Sequence, residues 1–352
     1  MAKEKCSYFE ERDVKIRERM NNMLAKLPLY VSDYIVNLES RGLSSLTRYN
    51  YLEDISLFFQ FIAGNSSKMK DVSFQVLESL KPIDIQKFLS NMASGRQKIS
   101  GRKILLSKSG IKAQARKLSS IKSLYRYLFI NDFIASNMTT KIETPKLLDE
   151  DNTIKRIDYS EAIEMMKATD STGVFSEHQE KYNDGFIKHR DRAIISTFFA
   201  TGIRVSELVG LDLNTVNLKK KYIDVRRKGG RLERLYINDD LIDILNTWLT
   251  YRETENIPKE EQAFFISIQK KRISVDAVDD VIKKYAMAVL GKKLSPHKLR
   301  ATYGTELYKR TGDIYQVATA LGHKSVDTTR KHYADFDEQK KKDIAGKVKV
   351  GY

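Results

Sequence analysis

Residues 294–335 carry the densest run of stop and start signals in the chain, and they leave few folds open to it. Ser295-Pro296 reads as a helix start, with serine at the cap and proline at the first helical position, where the missing N–H costs nothing. Gly312 ends that helix and Asp313 caps the next. Gly322 ends the second helix and leaves His323 on the turn behind it. Ser325 or Asp327 then starts a short helix that ends at Tyr333.

The polar residues of this stretch are chemically specific. His297 and Arg300 are three apart and share a helix face, at a helix N-terminus that itself favours anions. Arginine grips phosphate oxygens with a planar fork of donors. Histidine donates a hydrogen bond or carries a proton near neutral pH. Tyrosine can act as an oxygen nucleophile and hold a covalent intermediate. Together these groups suffice to cut and rejoin a phosphodiester with neither a metal nor a nucleotide cofactor.

HKLR at 297–300, LGH at 321–323 and the tyrosine that follows resemble the C-terminal signature of the tyrosine recombinases, the phage integrase family. Two earlier segments of that signature occur in the family's order. The first, Gly202-Ile203-Arg204-Val205-Ser206-Glu207-Leu208, contributes an arginine. The second, Arg227-Lys228-Gly229-Gly230-Arg231, contributes a hairpin lysine. The match covers the C-terminal half, and the length and N-terminal half look most like the stand-alone Xer recombinases of Gram-positive bacteria.

That resemblance implies a site of Arg204, Lys228, His297, Arg300 and His323 around Tyr333 as nucleophile. Arg204 and Arg300 would clamp the phosphate and His323 would hydrogen-bond one of its oxygens. His297 would accept the tyrosine proton, and Lys228 would protonate the leaving 5′-oxygen. Glu207, three after Arg204, is either an ordinary surface ion pair or the group that orients Arg204 or the lysine hairpin. Two features depart from the family. Ala301 stands where a second histidine is often found, and Tyr333 lies one residue farther beyond His323 than is common.

The rest of the chain reads as mainly α with a small β-sheet. The resemblance implies an N-terminal helical-bundle core-binding domain and a C-terminal α+β catalytic domain. The expected organisation is a charged extension over 1–26, the DNA-binding bundle over 27–135, a linker over 136–155, the catalytic domain over 156–335 and a tail over 336–352. The extension is either a packing arm or a frayed end. In the family the tail docks on a neighbouring protomer. Helical spacing of Tyr49, Leu52, Ile55, Phe58, Phe59 and Ile62 marks core rather than base-stacking aromatics. Residues 170–188 read as a polar insertion without periodicity.

Arg96, Lys98, Arg102, Lys103 and Lys108 fall in a stretch with glycine and serine and no acidic residue. It reads as a flexible basic loop that touches DNA phosphate. The helix after it is expected to carry Lys112, Arg116, Lys117 and Lys122 on its outer side, continuing a groove-facing surface. Arg231 joins the DNA-binding candidates. The overall charge of +16, from 62 Lys and Arg against 46 Asp and Glu, favours such a polyanionic partner.

The single cysteine, Cys6, excludes a disulfide framework and a cysteine zinc cluster. No metal and no cofactor are expected. The N-terminus lacks the apolar region of a secretion signal, and no run is apolar enough to span a membrane, so a cytoplasmic location is expected. The partners implied by the family are double-stranded DNA at a specific recombination site and further copies of the chain. The copies would form a homo-oligomer, a tetramer, on two DNA sites. A cell-division DNA translocase would be a further partner if the role is resolution of chromosome dimers. Three rival readings are a phage or transposon integrase, a type IB topoisomerase, and a catalytically silent DNA-binding protein.

Overall fold

The computed structural model describes residues 7–100, 103–145, 157–171, 173–180, 183, 185–227, 230–323 and 325–326. The chain divides into two compact units, Met1–Thr153 and Ile154–Tyr352.

The first unit contains helices α1 (Tyr8–Leu24), α2 (Leu29–Ser40), α3 (Ser45–Ala63), α4 (Phe74–Ser79), α5 (Pro82–Ser94) and α6 (Ile111–Ile130). Between α5 and α6 lie two strands, β1 (Arg96–Ser100) and β2 (Lys103–Ser107). Helix starts fall where side chains can satisfy the first backbone N–H groups. Ser44 accepts from the Thr47 N–H at the start of α3, and Pro82 occupies the first turn of α5. The core combines Tyr34, Leu38, Leu52, Phe58, Phe88 and Leu124, all fully buried. Ile16 and Met20 of α1 belong to the same core, so the N-terminal segment is a packing arm. Ile134 and Ile142 also pack into it, which folds the chain after α6 back onto the bundle.

Two expectations for this unit are corrected. The basic stretch is not a flexible loop: β1 and β2 pair antiparallel, with Ile99 opposite Ile104 and Arg96 opposite Ser107. Ile104, Leu105 and Leu106 give the second strand the apolar content that a loop would lack. Nor is the outer face of α6 a simple row of cations. Lys117 is only 6% exposed, and its Nζ lies 3.4 Å from Asp54 Oδ1 in α3. Arg116 donates to the other oxygen of Asp54 at 2.6 Å, and Ser120 joins at 3.0 Å. Burial by itself raises the Asp54 pKa, and these neighbours oppose that rise. A carboxylate inside the bundle therefore draws Lys117 inward and pairs with Arg116, which stays exposed. Lys122 instead donates to the Ile142 carbonyl at 2.6 Å. Lys108 and Lys112 are exposed, as expected of the outer side. Arg102 and the side chains of Arg96, Lys98 and Lys103 lie outside what the structure describes.

The second unit contains α7 (Tyr159–Ala168), the short α8 (Glu177–Glu180), α9 (Gly185–Thr201) and α10 (Val205–Val209). A three-stranded antiparallel sheet follows, β3 (Val216–Asn217), β4 (Tyr222–Arg226) and β5 (Leu232–Tyr236), in the order β3-β4-β5. Helices α11 (Asp239–Glu253), α12 (Val275–Leu290), α13 (Pro296–Thr311) and α14 (Ile314–Leu321) complete it. Helix α9 is its central element, buried along Ala193, Ile194, Ile195 and Phe198. Trp248 of α11 is fully buried and donates to the Phe264 carbonyl at 3.1 Å. The expected polar insertion is partly structured, because Phe175 and Phe186 supply buried apolar anchors. Gly312 and Gly322 end α13 and α14 in the left-handed region, with φ of 69° and 58°, and Asp313 caps α14. Tyr308, Val317 and Leu321 lock these two helices together. Among the described residues no helix is long and apolar enough to cross a membrane.

Candidate active site

The C-terminal end of α14 is the frame of the site. The last carbonyls of a helix have no partner within it and form the negative end of its dipole. Here three successive carbonyls each accept from a different arginine. Arg227 donates to Ala320 O at 3.4 Å, Arg300 to Leu321 O, and Arg204 to Gly322 O at 3.3 Å. These arginines come from the β4–β5 hairpin, from α13 and from the start of α10. The turn that holds His323 is thus tied to α10, to the β4–β5 hairpin and to α13.

Each arginine is also fixed at its other end. Arg300 is 4% exposed and donates to the Gly202 carbonyl. Gly202 breaks α9 at φ 59°, and a Cβ there would stand 2.4 Å from Tyr303 Cδ1. Only glycine lets the chain turn so closely under α13. That turn delivers Arg204 to the head of α10. Its side chain is 32% exposed and bonds Glu207 Oε1 at 2.8 Å.

Glu207 is not a surface residue. It is 3% exposed and accepts from the Arg204 backbone N–H at 2.9 Å, from Arg204 Nη1, and from Arg227 Nη1 at 2.8 Å. A buried carboxylate between two guanidiniums is the arrangement in which an ion pair holds geometry most firmly. The next link is Glu233. It accepts from Arg227 at 2.8 Å and from Arg231 at 2.7 Å. Burial works to raise the Glu233 pKa, but the bonds and charges of the two arginines prevail and hold it below the usual carboxylate range.

His297 lies in the first turn of α13, on the exposed rim of the site. Partial desolvation of the ring, and then the positive charges of Arg300 and Arg204, lower its pKa. At neutral pH the ring is neutral and can accept a proton. His323 is half-buried, and its backbone N–H closes the α14 terminus on Ala318 O at 2.9 Å. It borders an open cleft of about 590 Å³ shared with Arg231, Glu233, Tyr236, Tyr303 and Gly322.

The structure therefore brings Arg204, His297, Arg300, His323 and Glu207 to one place. Lys228 and Tyr333 lie outside the described residues. Arg231 is on the hairpin, well exposed, and paired with Glu233. Sequence reasoning missed Arg227 and Glu233. Arg227 sits in a basic run and carries no sign that it is buried. Glu233 had a readable one: in β5 it alternates with exposed Leu232 and Arg234, which turns it to the side of Leu235. Among the described residues no cluster of three His, Cys, Asp or Glu side chains could hold a metal ion.

Comparison with known proteins agrees with this arrangement of motifs. The phage integrase family model matches residues 155–340. Tyrosine recombinase XerC of Caldanaerobacter subterraneus subsp. tengcongensis is 30% identical over 330 residues, covering 90% of this chain and 84% of that protein. Tyrosine recombinase XerS of Streptococcus pneumoniae is 28% identical over 349 residues, covering 92% and 96%. In fold, the chain resembles the XerH site-specific recombinase bound to a palindromic difH substrate, in a post-cleavage complex. That match has a TM-score of 0.64 at 18% identity and covers 88% of this chain and 84% of that one.

Proposed function

The chain belongs to the phage integrase family, and from that premise we propose that it is a site-specific DNA recombinase working through a 3′-phosphotyrosyl intermediate. Tyr333 attacks the scissile phosphate and releases a 5′-hydroxyl. The 5′-hydroxyl of a partner strand then attacks the phosphotyrosine and frees the enzyme. Each step exchanges one phosphoester for another, so no ATP is consumed.

The charge that spreads over the phosphoryl oxygens in the transition state calls for preorganised donors. Arg204 and Arg300 clamp those oxygens and His323 donates to one of them. His297 takes the proton of Tyr333, in keeping with its lowered pKa. Lys228 protonates the leaving 5′-oxygen, a role open to lysine because an unperturbed lysine side chain carries a proton at neutral pH. The observation that carries this reading is the anchoring of three arginines on the turn that bears His323. It fixes the two clamp arginines, Arg204 and Arg300, beside His323 as a cationic seat for one phosphate.

The similarity to XerC and XerS supports resolution of chromosome dimers as the biological role, with several copies assembling on two double-stranded DNA sites. On this reading the helical bundle, 27–135, grips DNA and the tail, 336–352, links protomers. The test is covalent trapping on a nicked suicide substrate. Wild-type protein is expected to form a stable protein–DNA adduct, and Tyr333→Phe to bind the DNA normally and form none. An adduct with Tyr333→Phe would overturn the assignment.

A further inference from the structure

Arg227 is the residue immediately before Lys228, and its backbone and both terminal nitrogens are held, although Nε is buried without a partner. Its backbone N–H donates to Arg231 O at 2.8 Å, and its carbonyl accepts from Gly230 at 3.0 Å. Those two bonds close the loop on both sides. Its side chain is only 5% exposed. Nη1 is held by Glu207, and Nη2 by Glu233 at 2.8 Å and Ala320 O at 3.4 Å. The guanidinium also lies flat against Gly322: a Cβ at that position would come within 2.8 Å of Arg227 Nε and 2.9 Å of Cζ.

Glycine at 322 thus does two things. It permits the left-handed φ of 58° that ends α14, and it leaves room for Arg227. Glu207, through Arg204, connects the same guanidinium to a phosphate-clamp candidate. No surface role requires a buried arginine here. A structural arginine with no part in catalysis would stabilise the fold without needing to touch both the hairpin and the His323 turn.

We infer that Arg227 is a positioning residue, locking the loop that carries Lys228 to the turn that carries His323. It touches no substrate. It ties the base of the β4–β5 hairpin, one residue before Lys228, to the turn that binds the phosphate. This rests on the recombinase reading for its chemical consequence, whereas its mechanical part stands on the geometry alone.

Two measurements on the full chain test it. The first is amide hydrogen exchange on Arg227→Lys and Arg227→Met, read at Gly230 and His323, whose N–H groups bond Arg227 O and Ala318 O. Loss of the fork is expected to speed exchange at both amides by roughly tenfold or more. Amides of α12, which carries none of the site residues, serve as the reference and stay at the wild-type rate. Unchanged exchange at Gly230 and His323 in both variants overturns the inference, whatever the chemistry. So does a uniform acceleration that includes α12 in the conservative Arg227→Lys, because it would mean a purely structural role.

The second measurement is single-turnover cleavage of ordinary DNA and of DNA with sulfur in place of the scissile 5′-bridging oxygen. A thiolate leaves without a proton, so it bypasses the general acid. Arg227→Lys is expected to cleave ordinary DNA on the order of 10²-fold slower, the scale of a group misplaced by about 1 Å. It should recover most of that loss on the sulfur substrate. Lys228→Ala is the control. If Lys228→Ala recovers and Arg227→Lys is slowed equally on both substrates, the positioning role falls. If Lys228→Ala itself fails to recover, the general-acid reading of Lys228 falls, and the exchange measurement decides for Arg227.

Discussion

Gly322→Ala is the perturbation with the most sharply defined cost. The residue has φ 58°, and an L-residue pays about 1–2 kcal/mol in the left-handed region. The new methyl would also lie 2.8 Å from Arg227 Nε, closer than real Cβ contacts come. Arg227 cannot step aside freely, because Glu207 and Glu233 each hold it at 2.8 Å. Yielding one such charge-assisted bond costs about 1.5–3 kcal/mol. The two contributions together come to about 2.5–5 kcal/mol.

Gly291→Ala isolates the first contribution. Gly291 ends α12 at φ 61°, in the same unit, and a Cβ there meets nothing within 4 Å. It should cost only about 1–2 kcal/mol. The sequence holds one tryptophan, Trp248, and it is fully buried in the second unit, so its fluorescence reports unfolding of that unit. At about 2–4 °C per kcal/mol for a unit of this size, Gly322→Ala should melt roughly 3–12 °C below Gly291→Ala. Equal melting temperatures would refute the claim that Arg227 is wedged against the turn.

Arg204→Ala should lower the cleavage rate by about 10²–10³, the loss of about 2.7–4 kcal/mol of transition-state stabilisation, while DNA affinity measured by gel shift changes little. Arg300→Ala should lose as much rate and also melt at lower temperature, because Arg300 is buried and holds the Gly202 and Leu321 carbonyls; a purely catalytic loss would argue against that anchoring. The lowered pKa of His297 means that its base form already dominates at neutral pH. Single-turnover cleavage should therefore be level around pH 7 and fall tenfold per unit only below an apparent pKa under 6.5. A limb centred above pH 7 would contradict His297 as the proton acceptor, and His297→Gln should remove the acidic limb.

Much of the second unit was legible in its punctuation. Ser295, Pro296, Gly312, Asp313 and Gly322 mark the ends of α13 and α14, and the mark is physical: a cap, a fixed φ or a left-handed turn. The gathering of Arg204, Arg300 and His323 was legible only through the family pattern, since positions 204 and 300 come together through the Gly202 turn and not through local spacing. The cations claimed by buried carboxylates were not legible. Lys117, which is buried, and Arg116, which is not, look alike as outward helix charges, and the carboxylate that pairs with both, Asp54, stands on another helix 62 residues from Arg116. Arg227 is hidden in the same way, with its partners at 207, 233 and 320. The β1–β2 hairpin was masked by glycine, serine and lysine content, although Ile104-Leu105-Leu106 hinted at it.

The central claim is that Tyr333 becomes covalently joined to DNA. Tyr303 and Tyr308 are poorly placed to compete: burial raises the pKa of Tyr303, and Tyr308 is 5% exposed in the α13–α14 core. The decisive measurement is peptide mass spectrometry of the adduct trapped on a nicked suicide substrate, followed by end analysis of the released strand. A single nucleotide-bearing peptide modified at Tyr333, joined through a 3′-phosphate with a free 5′-hydroxyl on the departing strand, is the predicted result. Attachment at Tyr303, Tyr308 or Tyr315, or through a 5′-phosphate, would contradict the account.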